Sequence, residues 1–194
     1  MNNPEYIDID GKRFKINTDY RNVLRLEKIA NDKTIDDYER ILGIIYMFYG
    51  EEGYNSEEYY DRLLNGIITF CKGRPNSINP IADNKREKDM DYTKDMNLII
   101  SSMWNEYGID ITKEKIHWWT FFDLLNGLSS ECALNRVRDI RTKDLSKVKD
   151  KAERDEYARL KGVWALSKED TMTEEQKQSV DAFYESLVVG KEVK

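Results

Sequence analysis

The sequence predicts a mainly α-helical protein, a multi-helix bundle with a short N-terminal β-hairpin. Apolar residues recur at the three- and four-residue spacing of helices through most of the chain after Asp19. Residues that commonly cap helices precede several of these segments. A period-two alternation of apolar and polar residues opens the chain.

The predicted hairpin lies in the stretch Y-I-D-I-D-G-K-R-F-K-I-N, where apolar and polar residues alternate around Asp10-Gly11. An Asp-Gly pair between alternating runs is a strong hairpin signal, because both turn positions require a positive φ. We expect strands near residues 5–9 and 12–16.

Three predicted helices follow the hairpin. Each is preceded by a residue whose side chain can accept a hydrogen bond from the first backbone N–H groups. The predicted caps are Thr18 or Asp19, then Thr34 with Asp37, and then Ser56. The predicted helices run over about 19–31, 34–49 and 56–70.

Residues 73–90 interrupt the helical pattern and hold two of the three prolines of the chain. Their composition predicts a loop or linker. This segment divides an N-terminal hairpin and helices (1–72) from an aromatic-rich helical region (91–166) and a C-terminal helical extension (167–194). Because the chain has 194 residues, we expect one globular unit.

The helical pattern is strongest from Asp91, and Gly108 is expected to end that helix as a left-handed cap. At about 100° per residue, one apolar arc contains Tyr92, Met96, Ile99, Ile100, Met103, Trp104 and Tyr107. Thr112 is predicted to cap the next helix. The remaining predicted helices cover about 130–141, 150–166 and, with Thr173 and Gln176 as a capping box, 173–189.

The stretch I-H-W-W-T-F-F-D-L-L-N-G-L, residues 116–128, holds two of the four tryptophans and the only histidine. On a helical wheel, most of its apolar side chains, including Trp118, form one broad face that suits a core. Trp119 falls outside this face and therefore contacts either another element or a partner. Because aromatic residues are enriched at interfaces, Trp119 is a candidate partner-binding residue.

The sequence gives no support for an enzyme. The wheel favours a buried, hydrogen-bonded His117, and the Glu114-x-x-His117 pattern lacks the second such motif that carboxylate-bridged metal centres require. No CxxC pair or phosphate-binding glycine motif occurs, and the calcium-loop pattern starting at Asp89 lacks its later ligands. We expect no catalytic residues, cofactor or metal; an enzyme that uses His117 is the competing class.

A basic cluster extends from Arg136 to Lys151. Such a cluster could contact nucleic acid, but a net charge of −6 gives little long-range attraction to phosphate. We expect no nucleic-acid binding and interpret the cluster as a solvated or protein-binding surface. Its candidate partner-binding residues are Arg136, Arg138, Arg141 and Lys143.

The apolar segments predict no contact with a membrane. The longest uncharged apolar run, I-L-G-I-I-Y-M-F-Y-G, is well short of the roughly 18 residues that span a bilayer. The N-terminus lacks the basic and apolar regions of a signal peptide. We therefore expect a soluble intracellular protein.

Six motifs follow one another in the second half of the chain: D-Y-T-K-D, Y-G-I-D-I, I-H-W-W-x-F, L-L-N-G-L, R-x-x-D-L-S-K and K-D-K-A-E-R. Their order over residues 91–166 resembles the bacteriophage "gene product fifteen" family, found in tail gene modules of phages and prophages of Gram-positive bacteria. Thr120 and Ser129 depart from this pattern, since the family often has a basic residue and a proline there. Residues after about Ser167 have no counterpart in it.

The resemblance implies a role in tail assembly rather than a chemistry, because such genes lie beside the tape-measure gene, in the position of tail assembly chaperones. It implies a protein of the host bacterial cytoplasm that binds and solubilises the tape-measure protein during tail morphogenesis. The expected partners are the tape-measure protein, further copies of the chain as a dimer or larger oligomer, and other tail proteins. The alternative is a structural component retained in the phage tail or a tail-like particle.

Overall fold

The fold of this chain is described by a computed structural model over residues 3–75 and 88–166. Within these ranges the chain forms one two-stranded sheet and seven α-helices, which confirms the predicted helical fold with its N-terminal hairpin. The described residues form two compact units. The first unit contains 3–75 and 115–122, and the second contains 88–114 and 123–166.

Two sequence predictions fall wholly or partly outside these ranges. Of the predicted loop 73–90, residues 73–75 and 88–90 are described, and they contain neither helix nor strand. The predicted helix 173–189 lies outside the described residues.

The hairpin consists of β1 (Tyr6–Ile9) and β2 (Lys12–Lys15), which pair antiparallel close to the predicted positions. Asp10 and Gly11 form the turn with φ values of 51° and 81°. Phe14 of β2 is fully buried, and its ring meets the Tyr49 ring edge-on with centroids 5.8 Å apart. The alternation in the sequence thus directs one face of the hairpin into the core of the first unit.

The first unit also contains the helices α1 (Tyr20–Ala30), α2 (Asp37–Tyr54) and α3 (Tyr60–Cys71). Asp19 caps α1 as predicted, accepting a hydrogen bond from the Arg21 N–H at 2.9 Å. The predicted Thr34 cap of α2 is wrong. Asp36 caps α2 instead, while the Thr34 hydroxyl donates to the Asp32 carboxylate at 2.6 Å and is held in the preceding turn.

Helix α2 also extends past its predicted end at Tyr49. It continues to Tyr54 through a kink at Gly50, whose φ is 69°. A glycine adopts this left-handed conformation without the steric cost that a Cβ would add. The chain therefore bends at Gly50 where the sequence pattern predicted an end.

The second unit contains α4 (Met96–Tyr107), α6 (Ala133–Thr142) and α7 (Lys151–Trp164). Gly108 ends α4 with a φ of 67°, as predicted. The predicted start at Asp91 is five residues early, because the Asp91 carboxylate accepts hydrogen bonds from the N–H groups of Thr93 and Lys94 and forms a separate turn. Within the described residues, no helix has both the length and the apolar character needed to cross a bilayer.

The buried side of α4 differs from the predicted arc. Ile99 and Met103 are fully buried, but Trp104 is 56% exposed. Ser102 is buried in its place, and its hydroxyl accepts a hydrogen bond from the Leu134 N–H at 3.2 Å. Residues 102 and 104 are about 200° apart around the helix, so Trp104 lies on the outer side of α4 when Ser102 faces α6.

Helix α5 (Trp118–Asn126) begins later than the predicted Thr112 cap implies. Ile116 and His117 are not helical, because the backbone here pairs with the residues that precede α1. The Tyr20 N–H donates to the Ile116 carbonyl at 3.0 Å, and the Trp118 N–H donates to the Thr18 carbonyl at 2.7 Å. This long-range pairing overrides the local helical pattern.

Candidate functional site

The two adjacent tryptophans both bond to the end of α3. The Trp118 indole N–H donates to the Cys71 carbonyl at 3.0 Å, and the Trp119 indole N–H donates to the Phe70 carbonyl at 2.9 Å. The last carbonyls of a helix have no partner within the helix. The W-W pair therefore adds side-chain donors to the carbonyls at the end of α3, where the Phe70 carbonyl also accepts the Gly73 N–H at 3.1 Å.

Trp119, the aromatic candidate for partner binding, is half-buried. Its ring stacks on Phe70 with centroids 5.6 Å apart, and the Arg74 guanidinium lies 5.7 Å from the ring centre. The structure thus favours the intramolecular alternative for Trp119. A contact between Trp119 and a partner stays a prediction.

His117 connects the N-terminal segment to the start of α5. The Trp119 backbone N–H donates to its Nδ1 at 3.0 Å, so Nδ1 must be unprotonated and Nε2–H donates to the Pro4 carbonyl, also at 3.0 Å. Burial lowers the pKa of His117, which keeps the ring neutral. The expected hydrogen-bonded histidine is thus found before α5 rather than on its apolar face.

Cys71, at the end of α3, carries a thiol that resists ionisation. Burial raises the pKa of the Cys71 thiol to about 12, and a thiol in that state forms little of the reactive thiolate. Across residues 3–75 and 88–166, no group of three or more histidine, cysteine and acidic side chains could hold a metal ion.

Two of the four basic candidates form ion pairs and hydrogen bonds within the second unit. Arg141 forms a bidentate ion pair with Asp95, with both N–O distances 2.7 Å, and Asp95 is only 2% exposed. The same guanidinium donates to the Asp89 carbonyl at 2.8 Å and to the Trp164 carbonyl at 2.6 Å. Arg141 therefore joins α6 to the start of α4 and the end of α7.

Arg138 has a similar internal role. Its guanidinium donates to the Asp89 carboxylate at 2.9 and 3.1 Å and to the Asn135 side chain at 3.1 Å. Arg138 and Arg141 are thus engaged inside this unit rather than fully solvated, and a contact of either with a partner stays a prediction. Their side chains hold segments of this unit together.

The remaining candidates are Arg136 on α6 and Lys143, which directly follows the end of that helix. Arg136 is exposed and forms an ion pair with Glu131 at 2.9 Å. The Lys143 ammonium lies 4.7 Å from the ring centre of Tyr157 on α7. Both residues line a groove between the two helices.

This α6–α7 groove is open to solvent and has a volume of about 810 Å³. Its apolar lining comes from Ile140 on α6 and from Tyr157 and Leu160 on α7. Its polar lining consists of Arg136, Asp139, Thr142, Lys143, Asp144, Glu153 and Glu156. The groove thus combines an apolar floor with a rim that carries both signs of charge.

Helix α7 leaves its apolar stripe partly uncovered. Tyr157, Leu160 and Trp164 are only half-buried, and no residue of this helix is fully buried. The spacing of these residues in the sequence is that of one helix face. It could not predict that α6 packs beside it, so the contribution of α7 to the groove was missed from the sequence.

A family model described as "Bacteriophage Gp15 protein" matches residues 1–166 of the chain. The match ends where the described residues end, and the C-terminal extension lies beyond it. No curated protein and no solved structure matches the chain.

Proposed function

Because the chain belongs to the bacteriophage Gp15 family, which indicates a phage structural or assembly protein, we propose that it is a tail assembly chaperone. In this role it binds the tape-measure protein and keeps it soluble during tail morphogenesis. The chain acts by binding rather than by catalysis, in the cytoplasm of the host bacterium. Self-association and contacts with other tail proteins belong to the same proposal.

The α6–α7 groove is the observation that carries this proposal. A client that has to be kept in solution exposes apolar segments, and these must be held by a surface that offers apolar area inside a polar rim. The groove has this composition, since Ile140, Tyr157 and Leu160 lie among charged side chains. The half-buried stripe of α7 supplies apolar area that a client can cover.

The test is coexpression of the full chain with a tape-measure protein from the same phage. The account predicts that the tape-measure protein stays in the soluble fraction and copurifies with the chain. Without the chain, the same tape-measure protein should move to the insoluble fraction. A tape-measure protein that is equally soluble with and without the chain would contradict the proposal.

The alternative function is that of a structural component retained in the finished tail. Mass spectrometry of purified particles distinguishes it from a chaperone. A chaperone should be absent from mature tails or present only in traces. Recovery in the stoichiometric amounts of a tail component would favour the structural alternative.

A further inference from the structure

We propose that the α6–α7 groove binds an amphipathic helix whose apolar stripe is flanked by basic side chains. This inference rests on the proposed function and specifies the kind of client segment that the groove takes. Three observations support it: the groove has apolar side chains on both walls, its lining has more acidic than basic residues, and two of its carboxylates form no salt bridge within the described residues.

The shape of the groove suits a helix. A helix that lies in a groove presents side chains at spacings of three, four and seven residues. The floor offers Ile140 from one wall and Tyr157 and Leu160 from the other, so such a stripe can contact both walls.

The charge of the lining selects a basic partner. Two lining residues are basic, and four are acidic: Asp139, Asp144, Glu153 and Glu156. The two other arginines of the basic cluster cannot offset these acids at the groove, because Arg138 and Arg141 are bound to Asp89 and Asp95. The lining therefore has more acidic than basic side chains, although it lies within the cluster that is basic in sequence.

Two of these carboxylates are available to a cation. Asp144 forms an ion pair with Lys147, and Glu156 forms one with Arg159. Within the part of the chain that the structure describes, Asp139 and Glu153 form no salt bridge. Asp139 belongs to α6 and Glu153 to α7, so a bound helix would meet an acidic side chain from each wall.

The experiment uses the full chain and two fluorescent peptides of about 18 residues, a length at which an amphipathic helix can form. The peptides share one leucine stripe, and its flanking residues are lysine in one peptide and glutamate in the other. Fluorescence anisotropy should give a Kd at least about tenfold lower for the lysine peptide. Binding of that peptide should weaken as salt is raised.

The double variant Asp139→Lys/Glu153→Lys reverses the charge at both of these exposed helical positions. It should weaken binding of the lysine peptide by about tenfold or more. Asp155→Lys is the matched control, because Asp155 is exposed on α7 but does not line the groove. The control should change the Kd less than about threefold, and circular dichroism should give all variants the helicity of the wild type.

Equal affinity for both peptides, no binding of either, or an unchanged Kd in the double variant would overturn the inference. A second copy of the chain could occupy the groove instead. The inference would also be overturned if the double variant, without peptide, had a different sedimentation mass from the wild type and the lysine peptide did not displace the second copy from the wild type. If the peptides fail while the wild type keeps the tape-measure protein soluble, this inference falls and the proposed function stands. If the tape-measure protein is no more soluble with the wild-type chain, the proposed function itself fails.

Discussion

At the scale of single residues, Trp118 and Trp119 link the aromatic-rich stretch to helix α3. Both indole N–H groups satisfy carbonyls at the end of α3. The sequence predicted a buried Trp118, because that residue shares a face with other apolar side chains. It could not assign the contacts of Trp119, since the Phe70 carbonyl lies 49 residues away in the chain.

Trp119→Ala should destabilise the protein more than Trp104→Ala. Trp119 loses a stacked ring contact and leaves the Phe70 carbonyl without its indole donor, so we expect a cost of about 2 kcal/mol. Trp104 is 56% exposed, and its replacement should cost about 0.5 kcal/mol or less. Urea unfolding measures both losses of stability. Equal unfolding midpoints for the two variants would show that the contacts of Trp119 do not stabilise the fold.

His117 should make stability fall in mildly acidic solution. Its pKa is lowered in the folded chain by burial and, more weakly, by Arg74, while the Pro4 carbonyl and Glu5 act in the opposite direction. The folded state therefore prefers the neutral ring. The full contribution is present above the unfolded pKa of about 6.5 and is lost as the pH falls below it.

The control for this effect is His117→Asn, in which an amide oxygen can accept the Trp119 N–H but does not titrate in this range. Urea unfolding at about pH 7.5 and pH 5.5 brackets the unfolded pKa. The wild type should lose more stability between these two values than the variant. The same loss in both proteins would show that other groups cause the pH dependence.

At the scale of helices, local chemistry fixed some boundaries and tertiary contacts fixed others. The caps Asp19 and Asp150 follow from residue type, and the structure has both. The start of α5 does not follow from residue type, because a backbone pairing between Asp19 and His117 decides it. Residue type therefore identifies the cap of α1, whereas the start of α5 depends on a pairing with a residue far away in the chain.

Gly108→Ala and Gly162→Ala should have opposite effects on stability. A Cβ would meet no atom within 4 Å at either position, so the two sites differ in backbone conformation. Gly108 has a φ of 67°, where alanine is strained by about 1 kcal/mol. Gly162 lies within α7, where alanine is favoured by up to about 1 kcal/mol.

Thermal unfolding provides the measurement for this pair. The melting temperature should fall for Gly108→Ala and rise for Gly162→Ala. A higher melting temperature for Gly108→Ala would mean that the left-handed cap of α4 is not formed in solution.

Arg141→Ala should lower the stability of the second unit far more than Arg136→Ala does. Removing Arg141 leaves the buried Asp95 carboxylate without its partner, which typically costs about 3–5 kcal/mol. Arg136 forms a solvent-exposed pair with Glu131, and such pairs contribute less than about 1 kcal/mol. Urea unfolding compares the two; similar costs would contradict the assignment of Arg141 to an internal ion pair.

At the scale of the whole molecule, the fold class and the family could be predicted, but the candidate site could be predicted only in part. The sequence pointed to Arg136 and Lys143, and both line the groove. It missed Tyr157, Leu160 and the acidic lining, because these depend on how α6 packs against α7. Periodicity predicts which face of a helix is apolar, whereas the partner of that face is a property of the tertiary structure.

In the proposed function, the α6–α7 groove holds the tape-measure protein in solution. A single comparison on α7 tests it: Leu160→Asp places a charge on the groove floor, and Val163→Asp places the same charge at a residue that is 62% exposed and does not line the groove. Circular dichroism of both variants verifies that each remains helical. Each variant is then coexpressed with the tape-measure protein, and the soluble tape-measure protein bound to the chain is quantified.

We expect Val163→Asp to retain the tape-measure protein like the wild type and Leu160→Asp, while still folded, to retain about tenfold less. A folded Leu160→Asp chain that holds as much tape-measure protein as the wild type would contradict this expectation.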